Sequence, residues 1–147
     1  MIKFYTKEYE HLTKEELYKI LRLRAKVFVV EQDCVYQDID DKDKKGIHIL
    51  GYKNNKLIAY SRIFKSGDYF KYASIGRVLV VKEERKNKYG FQLMETSIMA
   101  INMHFKEFKI DISAQKHLEN FYKTLGFIKI GDSYLEDGIP HIKMVRR

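Results

Sequence analysis

The chain has 147 residues, the length of one domain with a sizeable buried core. Its single cysteine, Cys34, excludes an internal disulfide and fits a reducing cytoplasm. No apolar run reaches the roughly 20 residues of a membrane span, and the opening MIKFYTKEYEH has no apolar signal core, so a cytoplasmic protein without a membrane partner is expected. A net charge of +8 suits nucleic acid, a membrane surface or a phosphorylated ligand. The 28 Lys and Arg are scattered among 20 acids, which favours a solvated basic surface over a nucleic-acid face.

Taken in chain order, Thr13-Lys-Glu-Glu16 fits a capping box, with Leu12 and Leu17 placed as a hydrophobic staple. Leu17, Ile20, Leu21, Val27 and Phe28 then follow helical spacing, and Arg24 interrupts that stripe as a rim arginine would. Residues 31–45 have neither period and read as a loop. His48 to Phe64 reads as two strands joined at Asn54-Asn55, a pair that tolerates the positive φ of a tight hairpin. Residues 74–81 predict a third, more buried strand. A helix begins near Tyr89, with Leu93, Met94, Ile98, Ile101 and Phe105 on one face.

Phe108, Ile110 and Ile112 alternate with Lys109, Asp111 and Ser113, as in a half-buried strand. Leu118, Phe121, Tyr122 and Leu125 return to helical spacing, with Gly126 suited to a C-cap. Two strands near 127–131 and 140–146 close the chain. With no repeat, linker or low-complexity tract, residues 1–147 form one mixed α/β domain around a single sheet, in the order β-α-loop-β-β-β-α-β-α-β-β.

The segment GRVLVVKEERKNKYGFQLM (Gly76 to Met94) joins a buried strand to a helix through a basic turn. A helix N-terminus offers unpaired amides and partial positive charge. Gly90 leaves room for a close ligand, and Arg85, Lys86 and Lys88 add full charges, so the turn suits a diphosphate. It lacks GxxxxGK[ST] and GxGxxG, and on its own reads as either an exposed basic corner or a phosphate site. Two metal patterns fail. The stretch from Asp41 to Gly46 begins like a calcium loop but has Lys45 and Tyr52 at ligand positions, and the five histidines and Cys34 show no CxxC or HxxxH spacing. No metal is expected.

V-L-V-V-K-E-E-R-K-N-K-Y-G-F-Q-L-M resembles motif A of the GNAT N-acetyltransferases, [QR]-x-x-G-x-[GA], with Arg85 first, Lys88 at the middle glycine and Gly90 last. Gln115 to Phe127 resembles the motif B helix ending in Y-x-x-x-G-F. The chain is similar above all to the ElaA-like branch. The likeness is carried by L-R-x-x-V-F-V-V-E-Q (Leu23 to Gln32), Y-Q-D-I-D (Tyr36 to Asp40), H-I-L-G (His48 to Gly51), I-G-R-V (Ile75 to Val78), A-Q-x-H-L-x-N-F-Y (Ala114 to Tyr122) and E-D-G-I-P-H-I (Glu136 to Ile142). A lysine at the middle motif-A position is usual in that branch.

The resemblance implies the GNAT acyltransferase fold, a mixed and mostly antiparallel sheet flanked by helices with a splayed central strand. It implies acetyl-CoA as co-substrate and an amine acceptor, in a monomer or homodimer. Backbone groups of Val78, Leu79 and Val80 would hold the pantetheine arm and acetyl carbonyl. Amides of Arg85, Lys86, Asn87, Lys88, Tyr89, Gly90 and Phe91 would hold the pyrophosphate, with Asn120 and Tyr122 further cofactor contacts. Tyr122 would be the general acid. On the amine side Glu31, Asp38, Asp40, Asp41, His48 and His141 are candidates for the base, Glu31 first and His141, held by the Gly138-Ile-Pro140 turn, second. The six acids between Glu31 and Asp43 form either a solvated loop or a lure for a cationic amine. The competing readings are a CoA-binding module without turnover and a basic nucleic-acid-binding domain.

Overall fold

The computed structural model describes residues 1–147. Seven strands form one sheet in the order β1-β2-β3-β4-β5-β7-β6. β1 (Lys3–Glu8), β2 (Ile47–Lys53), β3 (Lys56–Phe64) and β4 (Ala73–Val80) run as an antiparallel series. β5 (Ile110–Gln115), β7 (Ile139–Arg146) and β6 (Phe127–Glu136) make a second antiparallel set. The only parallel pairing joins the two sets through β4 and β5.

α1 (Lys14–Arg24) starts at the capping box read from the sequence: Thr13 Oγ1 accepts from Glu16 N–H, and Glu16 accepts from Thr13 N–H. It continues as a π-helical stretch from Ala25 to Glu31. α2 (Tyr89–Phe105) buries Leu93, Met94, Ile98 and Ile101 against the sheet, mainly across β3 and β4. The short α3 (Glu119–Lys123) packs by β6. No helix is long and apolar enough to cross a membrane.

β4 and β5 pair only at Ala73↔Ile110 and Ser74↔Asp111, after which they part. This is the splayed central strand. β4 also carries a bulge: its register with β3 shifts between Tyr60 and Arg62, and Arg77 has φ 50.

Three expectations need correction. Arg24 does not lie on a rim but is fully buried, because Asp38 and Asp43 meet its guanidinium. The turn before His141 is Asp137-Gly138, not Gly138-Ile-Pro140: both residues have positive φ (51 and 79), and Glu136 pairs directly with Ile139. β6 continues past residue 131 to Glu136, with its register broken between Ile130 and Tyr134 and Gly131 at φ 76.

Gly51 tests how tightly the first layers pack. A Cβ there would stand 2.9 Å from Phe4 and 3.0 Å from both Ala59 and Ile2. Gly51→Ala is expected to destabilise the fold by about 1–3 kcal/mol, read as a lower urea midpoint at unchanged m-value. An unchanged midpoint would mean that the neighbouring side chains yield freely.

Candidate active site

The gap between β4 and β5 opens into a cavity. Gly76 to Val78 line it from β4 and Ser113 from β5. Tyr122 of α3, Glu136 of β6 and His141 of β7 complete the wall, with Cys34 and Tyr36 at its loop side. Val78, Tyr122 and His141, singled out from sequence, therefore share one space.

Tyr122 is held edge-on between Phe121 and Phe127, at centroid distances of 5.1 and 6.0 Å. Burial alone pushes its phenol up to about 12. At the far end of β4, Val81 N–H bonds Ile58 C=O at 2.8 Å. By the alternation of an extended strand, the Val80 peptide N–H then faces away from β3, into the gap. Val80 C=O accepts from Arg85 Nε at 2.9 Å.

The basic turn is a 3₁₀ helix, Lys82–Asn87, followed by Lys88 at φ 59 and then α2. The left-handed position in the turn is therefore Lys88; a Cβ at Gly90 would meet Phe121 at 3.7 Å, an ordinary contact. No side chain caps α2, and its first bond back to the turn is Gln92 N–H to Lys88 C=O at 3.3 Å. The amides of Tyr89, Gly90 and Phe91 have no helical partner. The turn is pinned from below by Glu84, which accepts from Lys53 at 2.9 Å and Asn87 at 3.0 Å. Lys86 and Lys88 are exposed. Asn120 is exposed on α3.

Most of the acids in the loop after α1 are committed elsewhere. Asp38 takes Arg24 Nε and Arg77 Nε, each at 2.8 Å, and Tyr36 Oη at 2.8 Å. Asp43 takes Arg24 at 2.6 Å and Arg62 at 2.9 Å, and Asp40 takes both terminal nitrogens of Arg62 at 2.8 Å. Glu31 is bound to Arg85 at 2.6 Å and lies outside the cavity wall. His48 is fully buried. Its Nε2 lies 3.0 Å from Asp43 C=O, which can only accept, so Nδ1 is left to accept from Tyr60 Oη at 2.6 Å. Burial holds this ring neutral by lowering its pKa.

Reading residue types and spacing overlooked Ser113, Tyr134 and Glu136. Their sequence signal is slight: they come together only because β5, β6 and β7 are neighbours.

Known proteins of similar sequence and fold point to one family. A family model described as an acetyltransferase (GNAT) domain matches residues 8–147. Protein ElaA of Escherichia coli is 46% identical over 99% of this chain and 97% of its own length, and its crystal structure superposes with a TM-score of 0.93 over 100% of both chains. An acyl-CoA N-acyltransferase from Pseudomonas aeruginosa is 36% identical, with a TM-score of 0.94 and 100% coverage of both chains. A UPF0039 protein of Schizosaccharomyces pombe is 41% identical over 97% of this chain and 95% of its own.

The buried charges set a pH dependence of stability. Burial acts to raise the Asp40 pKa, but hydrogen bonds and charge from Arg62 outweigh it and hold the group at about 2. Asp43 is lowered in the same sense by Arg24 and Arg62. A carboxylate depressed in the fold contributes stability above its unfolded value of about 3.9 and loses it as pH falls toward 2. A histidine kept neutral in the fold lets the unfolded chain bind the extra proton, so stability also falls below its unfolded value of about 6.5. Urea unfolding at successive pH values is expected to show both descents. Asp40→Asn should flatten the one between about pH 4 and 2; an unchanged slope there would remove Asp40 from the account.

Proposed function

The chain belongs to the GNAT acetyltransferases, in their ElaA-like branch, and on that premise we propose that it transfers the acetyl group of acetyl-CoA to a primary amine. The observation that carries the reading is the parting of β4 from β5. It leaves peptide groups of a central strand without a ladder partner, in line with the uncapped start of α2. An extended thioester arm fits the gap as a surrogate strand, and its pyrophosphate fits the amides of Tyr89 to Phe91 beside Lys86 and Lys88.

The amine attacks the thioester carbonyl directly. Negative charge then develops on the carbonyl oxygen, and Val80 N–H, aimed into the gap, stabilises it. A single such donor is worth roughly 3–4 kcal/mol in characterised enzymes. As the C–S bond breaks, the departing sulfur takes the proton of Tyr122. With a pKa of about 12 that phenol keeps its proton throughout the physiological range, so Tyr122 sets no alkaline limit on the rate below about pH 11.

Two measurements test this. Calorimetric titration with acetyl-CoA is expected to give micromolar binding, weakened about tenfold, or about 1.4 kcal/mol, in the Lys86→Ala/Lys88→Ala double variant. No binding by the wild-type protein would sink the transferase reading, and tight, steeply salt-dependent binding of an oligonucleotide in its place would favour a nucleic-acid domain. Tyr122→Phe is expected to lower kcat about a hundredfold while leaving acetyl-CoA affinity unchanged. A variant with full kcat would assign the proton to another group.

A further inference from the structure

We infer that Glu136 and His141 together seat the acceptor's ammonium group, and that His141 Nε2 takes its proton. The inference rests on the N-acetyltransferase reading above. Each ring nitrogen of His141 has one polar neighbour. His141 Nδ1 lies 2.7 Å from Ile139 C=O. A carbonyl only accepts, so Nδ1 carries the hydrogen, and Nε2 of the neutral ring is an acceptor. That nitrogen faces Glu136 Oε2 at 3.4 Å. On the wall of one cavity the ring and the carboxylate either pair as imidazolium and carboxylate or, with the ring neutral, stand as two acceptors that a cationic N–H donor bridges.

The rest of the cluster holds the pair in place. Ser113 Oγ donates to the other carboxylate oxygen of Glu136 at 2.9 Å, and Tyr134 Oη hydrogen-bonds Ser113 in turn. The Tyr134 ring stacks on His141, with centroids 6.3 Å apart and planes at 25°. The two-residue Asp137-Gly138 turn sets Glu136 opposite Ile139 in the hairpin, and Cys34 Sγ donates to Asp137 C=O at 3.3 Å, tying that hairpin to the loop. His141 is buried, whereas the Glu136 side chain is 48% exposed. A charged amine therefore meets the carboxylate first and the imidazole behind it.

The other charges facing the cavity leave this role to the pair. Arg77 lines the wall, but Asp38 and Asp40 neutralise it. Asp38, Asp40, Asp43 and Glu31 are all bound to arginines. The acids on the cavity wall itself are Glu136 and Asp137, on the hairpin.

The proton balance closes. R–NH₃⁺ bound between Glu136 Oε2 and His141 Nε2 gives one proton to Nε2, and Glu136 balances the resulting imidazolium. The neutral nitrogen attacks the carbonyl carbon, forming the C–N bond. On collapse the C–S bond breaks, sulfur takes the Tyr122 proton, and the tyrosinate recovers a proton from the new C–N nitrogen. The imidazolium then releases its proton to water past the exposed Glu136. The net products are the amide, CoA thiol and one proton.

The test measures thiol release from acetyl-CoA with spermidine, kanamycin and a lysine-bearing peptide. With whichever amine turns over, Glu136→Gln is expected to raise its KM at least tenfold. His141→Asn is expected to lower kcat about a hundredfold, and added imidazole to restore part of the rate of His141→Ala. Acetyl-CoA affinity should be unchanged in all three. If Glu136→Gln misfolds, judged by lost acetyl-CoA binding, Glu136→Asp with a raised amine KM supports the same assignment. Variants that keep KM and kcat within twofold overturn the inference alone. A wild-type protein that binds acetyl-CoA yet releases no thiol with any of these amines overturns the transferase reading and the inference together.

Discussion

The proposed site depends on β4 and β5 separating after two residue pairs. Peptide groups inside a sheet are normally consumed by neighbours. Here a central strand stops short of that, and its remaining amides face a gap instead of a ladder. Such an opening is costly unless something else holds the two halves. β4 is held on its other side by β3, and β5 by β7, so each set of antiparallel strands is stable without the missing pairs. α2 packs across the first set and its N-terminus follows the end of β4 after one short turn, so strand edge and helix end lie in line.

The arginine–aspartate lattice is the second constraint. Arg24 and Arg62, both essentially unexposed, share Asp43, while Arg77 reaches the same loop through Asp38. Buried ion pairs seldom add net stability over an apolar core of equal volume, but removing one partner is severe because it strands the other charge. What the lattice supplies is geometry. It fastens the loop after α1 to β3 and to the bulge of β4, beside the cavity. The bulge puts a non-glycine residue, Arg77, at positive φ, a local strain the two aspartates help to hold.

Much of the fold was legible because its signals are local. The capping box at Thr13, the Asn54-Asn55 hairpin and the apolar face of α2 each rest on residues within one or two turns of each other, and all appear as read. The nature of Arg24 was not legible, since a buried arginine and a rim arginine look alike until the aspartates 14 and 19 positions away are folded onto it. The acidic loop was left open for the same reason: its charge count was visible, its arginine partners were not. On the proposed cofactor side the basic turn stood out as an unbroken stretch. On the proposed acceptor side Ser113, Tyr134, Glu136 and His141 lie on three strands, and only the sheet order assembles them.

β6 has a consequence for the protein's behaviour at high concentration. It is an outermost strand ten residues long, exposed at every residue but Phe127, with Ile128, Ile130, Tyr134 and Leu135 among the open positions. A flat edge of that length and composition invites another chain to continue the sheet. The break in register after Ile130, with Gly131 at φ 76, interrupts it midway. An incoming strand finds two short, differently twisted runs in place of one long template, and Lys129 and Asp132 put charge on the edge. The break thus leaves a second chain no continuous edge to extend.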